Sequence, residues 1–149
     1  MMHREFERVR EALCRAGIPA SSLSISNGSS MTITSRCGFD EIPTSLHYRD
    51  GRAAEATPDI ELHRAMYARS RHRAVLVCQP PYAMTLASMG KLATVDGLEQ
   101  HPRKFAASEI LIVKGRAVVT GGVDPEACLA AVIAFETSSR GQLPGASRV

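Results

Sequence analysis

The groups in this chain best suited to chemistry sit in short loops and at the start of one helix. Ser26-Asn27-Gly28-Ser29 and Thr34-Ser35-Arg36-Cys37-Gly38 set small residues beside side-chain donors, which lets backbone N–H groups close on an anion such as a phosphate or carboxylate. The Asn27-Gly28 pair equally supplies the positive φ angles of a tight hairpin turn, so both uses stand. Asp59, just after Thr57-Pro58, carries a carboxylate where a helix dipole favours one. Lys114-Gly115-Arg116 combines an ammonium with good turn chemistry. Cys14, Cys37, Cys78 and Cys128 form no C-x-x-C pair, so neither a structural zinc site nor a thioredoxin-like motif is written here, and reduced, mostly buried thiols are expected.

Size and composition bound what can position these groups. With 149 residues and 44% hydrophobic content, the chain can build one compact domain with a real core. Its 18 Lys and Arg against 15 Asp and Glu are spread along the sequence rather than clustered, and Trp is absent, which speaks against a nucleic-acid footprint or a base-stacking platform. No apolar run approaches the roughly 20 residues that cross a bilayer, and MMHREFERVRE lacks the apolar centre of a signal peptide. A cytoplasmic protein without membrane or nucleic-acid partners is expected.

Phe6, Val9, Leu13 and Ala16 recur at helical spacing, and Gly17-Ile18-Pro19 caps and stops that first helix. Ser22–Ser26 alternates Leu23 and Ile25 on one face; with Asn27-Gly28 and Met31–Thr34 it forms a hairpin. A short strand is expected at 46–49, before a turn at Asp50-Gly51. Thr57 as N-cap and Pro58 at the first helical position open a helix to about Ser70. Ala74–Cys78 is a buried strand, closed by Pro80-Pro81, with a helix from Tyr82 to about Met89. A second hairpin pairs 109–113 with 117–120, Gly121-Gly122 breaks the pattern, and Asp124-Pro125 opens a last helix with Cys128, Ala131, Val132 and Phe135 on one face. One domain over residues 1–138 and a flexible tail over 139–149 are expected. Helices flanking a central sheet make a three-layer α/β/α sandwich with a mixed, largely antiparallel sheet.

The segment ELHRAMYARSRHRAVLVCQPPYAMTLAS resembles the class II aldolase/adducin family, in which a helix with a His and a Tyr leads into a strand ending in His-x-His, then Pro and often Tyr-Ala. The resemblance runs in order over most of Phe6 to Phe135 and implies the same α/β/α architecture. It implies an anion-binding role for Asn27, Gly28 and Ser29 in place of the family's Gly-Asn-x-Ser loop, and for Thr34 and Ser35 in place of its Thr-x-x-Gly loop. The family's acid/base glutamate lies four residues before the helix histidine, which puts Asp59 in that role ahead of His63, shortened by one methylene. Tyr82 is implied as a substrate-side residue, and a homo-oligomer, in the family commonly a tetramer, as the assembly.

The family's zinc ligands map onto Val77, Gln79 and Lys114, so all three imidazoles are replaced. Val77 has no donor atom, Gln79 offers an amide oxygen, and a protonated Lys114 repels a cation; a catalytic zinc needs three protein ligands. No metal cofactor is expected. Lys114 in the metal's place is expected to neutralise an enolate or carboxylate, or to form a Schiff base if desolvated. Against this stands an exposed turn. His63 is expected to pack and hydrogen-bond along its helix, His72 to sit in the loop before the strand, and His101 on a surface loop able to reach over it. The functional expectation is an aldolase-like protein that binds a small anionic carbonyl or hydroxy-acid compound with altered or lost lyase chemistry. The alternative is a non-catalytic sensor or oligomerising member.

Overall fold

The computed structural model describes residues 2–36, 38–47, 56–69, 71–94, 103–105 and 108–143. Along them run α1 (Met2–Arg15), β1 (Ala20–Ser26), β2 (Ser30–Ile33), β3 (Thr44–His47), α2 (Ile60–Arg69), β4 (Ala74–Cys78), α3 (Pro81–Ser88), β5 (Arg103–Phe105), β6 (Ser108–Val113), β7 (Ala117–Gly122) and α4 (Pro125–Gln142). The strands form one sheet in the order β3-β2-β1-β4-β7-β6-β5. Each pairing is antiparallel, which corrects the expectation of a mixed sheet.

Helix ends follow their local chemistry. α1 buries Phe6, Val9 and Leu13 and ends in a Schellman motif: Gly17, at φ 73°, donates to Cys14 O and Ile18 donates to Leu13 O. α4 starts where the Asp124 carboxylate accepts from Ala127 N at 2.7 Å.

Successive strand residues face opposite sides of a sheet, and both sides here are covered. Leu23, Leu76, Cys78, Ile110, Ile112 and Val118 pack with residues of α1, α3 and α4. Val75, Val77, Leu111, Val113 and Val119 pack on the other side with Leu62 and Met66 of α2. Cys78 therefore points away from Val77, as its place in the strand requires. Cover on both faces also explains why all five residues of β4 are buried.

Four boundaries differ from the sequence reading. β7 runs through Gly121 and Gly122 instead of breaking there, because the sheet needs their missing side chains: a Cβ on Gly121 would lie 2.6 Å from the His72 ring. α4 continues to Gln142 with Ser139 fully buried, so residues 139–142 are helical and the helix runs past Ser138. α2 begins at Ile60, two residues after Pro58, and the third strand lies at Thr44–His47. Cys14 is exposed, while Cys78 and Cys128 are buried and free, their thiol pKa values raised by burial, that of Cys128 to about 12. Cys37, Tyr48-Arg49, Asp50-Gly51, Ser70, His101 and the tail from residue 144 lie outside the described residues. Among the described residues no helix is long and apolar enough to cross a membrane.

Candidate functional site at one end of the sheet

A register shift between Ala20 and Ser22 puts a bulge at the start of β1 where it pairs with β4. The bulge breaks the usual alternation, and two consecutive hydroxyls reach one carboxylate. Ser21 Oγ donates to Asp59 Oδ2 at 2.5 Å and Ser22 Oγ donates to the same oxygen at 2.9 Å. Asp59 stands at the threshold of α2: its carbonyl accepts from Leu62 N and His63 N, so its side chain is free to turn toward β1. On its other oxygen, Arg116 Nη2 lies 3.3 Å from Oδ1. Asp59 is 9% exposed while the Arg116 side chain is 49% exposed, so water screens this pair and it contributes more to orientation than to stability.

Behind Asp59 the polar network continues into the core. His63 is fully buried, with Nε2 at 2.8 Å from Ser22 Oγ and Nδ1 at 2.6 Å from Ser24 Oγ. Ser24 Oγ lies in turn 2.7 Å from Tyr67 Oη, one helical turn beyond His63. Burial drives the imidazole pKa down to about 3, against the opposing pull of the Asp59 charge. His63 is thus a neutral ring whose two nitrogens both have hydroxyl partners, as its expected packing role requires.

The antiparallel register carries the turn after β6 to this same end. Ser22 pairs with Val77, Val77 with Val119, and Val113 with Ala117, so Lys114-Gly115-Arg116 closes beside Asp59. Gly115 takes φ 67° in the turn and Lys114 is exposed. Gln79 Nε2 donates to Arg116 O at 3.3 Å and helps hold the turn. Asp59, Val77, Gln79 and Lys114 are therefore brought to one end of the sheet. A cleft of about 530 Å³ opens alongside, lined among others by Arg10, Cys14, Ser21, Phe39 and Asp40. Ser21 belongs both to this lining and to the partners of Asp59.

Other sequence-derived candidates lie elsewhere. Asn27, Gly28 and Ser29 form the β1–β2 turn, with Asn27 N donating to Ser30 O and Gly28 at φ 92°. Asp59 is bonded to Ser22 near the start of β1, and the extended chain from Ser22 to Asn27 covers roughly 17 Å, which sets that turn far from Asp59. Thr34 is nearer, since its carbonyl accepts from Thr57 N, but its hydroxyl is bound to the Leu23 backbone, donating to O at 2.9 Å and accepting from N at 2.8 Å. Ser35 donates to Glu41 Oε2 at 3.1 Å. Tyr82 opens α3, where the buried Glu136 carboxylate accepts from Tyr82 N and Ala83 N, and Arg140 lies over its ring at 5.6 Å.

Ser21, Ser22, Ser24, Tyr67 and Arg116 were not singled out by sequence. For Ser22, Ser24 and Tyr67 the signal is the pairing of Ser-x-Ser on a strand with His-x-x-x-Tyr on a helix, two spacings that each put both side chains on one face.

The resemblance aligns Val77, Gln79 and Lys114 with the family's zinc ligands, and the structure gives each of them other surroundings. Val77 is fully buried in the apolar cluster with Leu62, Val113 and Ala117, the Gln79 amide nitrogen faces a carbonyl, and Lys114 lies exposed on the turn. Among the described residues, no group of three or more His, Cys, Asp or Glu gathers to hold a metal ion.

No family model matches the sequence, and no curated protein matches it. Solved structures do match in shape. L-fuculose-1-phosphate aldolase from Thermus thermophilus superposes with a TM-score of 0.66 at 17% identity, over 92% of this chain and 88% of that one. YgbL from Klebsiella pneumoniae, described as a putative aldolase/epimerase/decarboxylase, gives 0.69 at 13% identity, over 94% and 87%. An aldolase II superfamily protein from Pseudomonas syringae gives 0.56 at 17% identity, over 93% and 74%. Identities this low speak to architecture, and on that level the result is plain: this chain has the class II aldolase fold.

Proposed function

We propose that this protein is a class II aldolase-like binder of a small anionic carbonyl or hydroxy-acid compound, built on the three-layer α/β/α plan, that works without the usual zinc. The observation that carries this reading is the Asp59 carboxylate, gripped by Ser21 and Ser22 and faced by Arg116. Asp59 accepts a proton from the carbon next to the ligand carbonyl, and the electron pair left behind forms an enolate. Lys114 and Arg116, on one exposed turn, supply the positive charge that an enolate or carboxylate needs. The exchange of three imidazoles for Val77, Gln79 and Lys114, as the resemblance aligns them, supports chemistry routed through side chains alone. Assembly into a homo-oligomer, such as a tetramer, belongs to the same reading.

The test is binding and deuterium exchange with glycolate, lactate and phosphorylated ketoses in chelator. Saturable binding is expected, weakened in Arg116→Ala, with exchange at the carbon next to a ketose carbonyl that Asp59→Asn abolishes. Absence of binding across the panel refutes the reading. The burial of an apolar side chain at Val77 favours a second reading, a non-catalytic sensor, which gives binding with no exchange.

A further inference from the structure

Ser22 touches both Asp59 and His63 with a single hydroxyl hydrogen, and that hydrogen decides the protonation pattern of the whole network. Its Oγ lies 2.9 Å from Asp59 Oδ2 and 2.8 Å from His63 Nε2. A carboxylate has no hydrogen to give, so Ser22 donates to Asp59 and must accept from His63. Nε2 therefore carries the N–H. A neutral imidazole has one such hydrogen, which leaves Nδ1 as a bare acceptor, and Ser24 Oγ at 2.6 Å donates to it. With its own hydrogen committed, Ser24 can only accept from Tyr67 Oη at 2.7 Å. The donors run in one direction, from Tyr67 through Ser24, His63 and Ser22 to Asp59.

We propose that His63 is a positioning residue for Asp59: held as the Nε2–H tautomer by Ser24, it obliges Ser22 to donate to Asp59 Oδ2, and leaves Oδ1, beside Arg116, as the oxygen that takes a proton from a ligand. The opposite tautomer would carry its hydrogen on Nδ1, invite the Ser22 hydroxyl to donate to Nε2, and strip one bond from the carboxylate. Oδ2, with two serine hydroxyls on it, is the oxygen held in place. Oδ1 meets a half-exposed guanidinium on a surface turn, the side from which a ligand can approach. The bulge in β1 is what allows Ser21 to join Ser22 on the same oxygen, so backbone geometry and tautomer act on one carboxylate together. Burial of the ring keeps it neutral and so keeps the donors aligned.

This inference rests on the reading of Asp59 as the proton-moving group, yet its test needs no substrate. Long-range proton–nitrogen correlation spectra of the histidine-labelled protein, assigned with a His63→Gln variant, read the tautomer directly. The expected pattern is a protonated Nε2 and an unprotonated Nδ1 for His63 throughout pH 5 to 8; the reverse pattern, or a doubly protonated ring at pH 6, overturns the proposal. Failure of the proton-exchange reaction would appear separately, in the assay with ketoses.

Discussion

Replacing Val77 by histidine returns an imidazole to the position where the resemblance places a zinc ligand, and the structure sets what that should cost. Val77 is fully buried, pairs with Ser22 on one side and Val119 on the other, and packs with Leu62, Leu111, Val113 and Ala117. The larger ring must push into a filled cluster, at about 1 to 3 kcal/mol. Its polar nitrogens also lose water: the adjacent Ser22 hydroxyl is already committed to Asp59 and His63, which adds roughly 1 to 3 kcal/mol for unsatisfied groups. The sum, roughly 2 to 6 kcal/mol, corresponds to a fall in Tm of about 5 to 20 °C for a domain of this size. Val77→Ala, which removes two methyl groups without adding polarity, should cost about 2 kcal/mol. Thermal melts followed by circular dichroism measure both. If Val77→His melted within two or three degrees of wild type, as it would with open space beside the strand, or if zinc raised its Tm, the filled-core reasoning would be refuted.

Three further perturbations test the surrounding structure. The His63 pKa falls from 6.5 to about 3 on folding, so the unfolded chain binds that proton more readily; the stability tied to it is complete above pH 6.5 and is lost as pH drops toward 3. Urea midpoints at pH 7 and pH 5 should show a decline approaching ~1.4 kcal/mol per pH unit, and His63→Gln should flatten it. Gly121→Ala drives a Cβ to 2.6 Å from the His72 ring, which itself packs 3.3 Å from Glu109, and should cost about 1 to 3 kcal/mol in denaturant unfolding. Glu136→Ala leaves Tyr82 N and Ala83 N without their acceptor at the start of α3; a loss of about 1 to 3 kcal/mol should be seen by the same measurement, with faster amide exchange at those two residues.

Most elements of this fold were legible because local chemistry and tertiary demand agree. Ala74–Cys78 is apolar throughout, as a strand covered on both faces must be, and Asp124-Pro125 opens α4 by the capping that its residue types predict. The β1–β2 hairpin was equally readable from Asn27-Gly28. That dipeptide, though, served two expectations at once, and the pairing puts it at the far end of β1 from Asp59.

The serines of β1 were missed for a physical reason. Alternation of Leu23 and Ile25 with Ser22, Ser24 and Ser26 reads as one buried face and one wet face, whereas α2 covers the serine side and turns Ser22 and Ser24 into buried partners of a histidine. No local pattern announces that cover. Arg116 was passed over because a turn between strands looks solvated, and only the register of three strands brings it to Asp59. Gly121 and Gly122 looked like a break for the same reason: their missing side chains make room for His72, Ser108 and Cys128, residues distant in sequence or on the following helix.

The most direct test of a side-chain site working without zinc is a single binding isotherm for glycolate, recorded on untagged protein in chelator and again after chelator is replaced by one equivalent of zinc. The two curves should coincide, and Arg116→Ala should weaken both alike. Binding that appears only when zinc is present would contradict the assignment of the site to Asp59, Lys114 and Arg116.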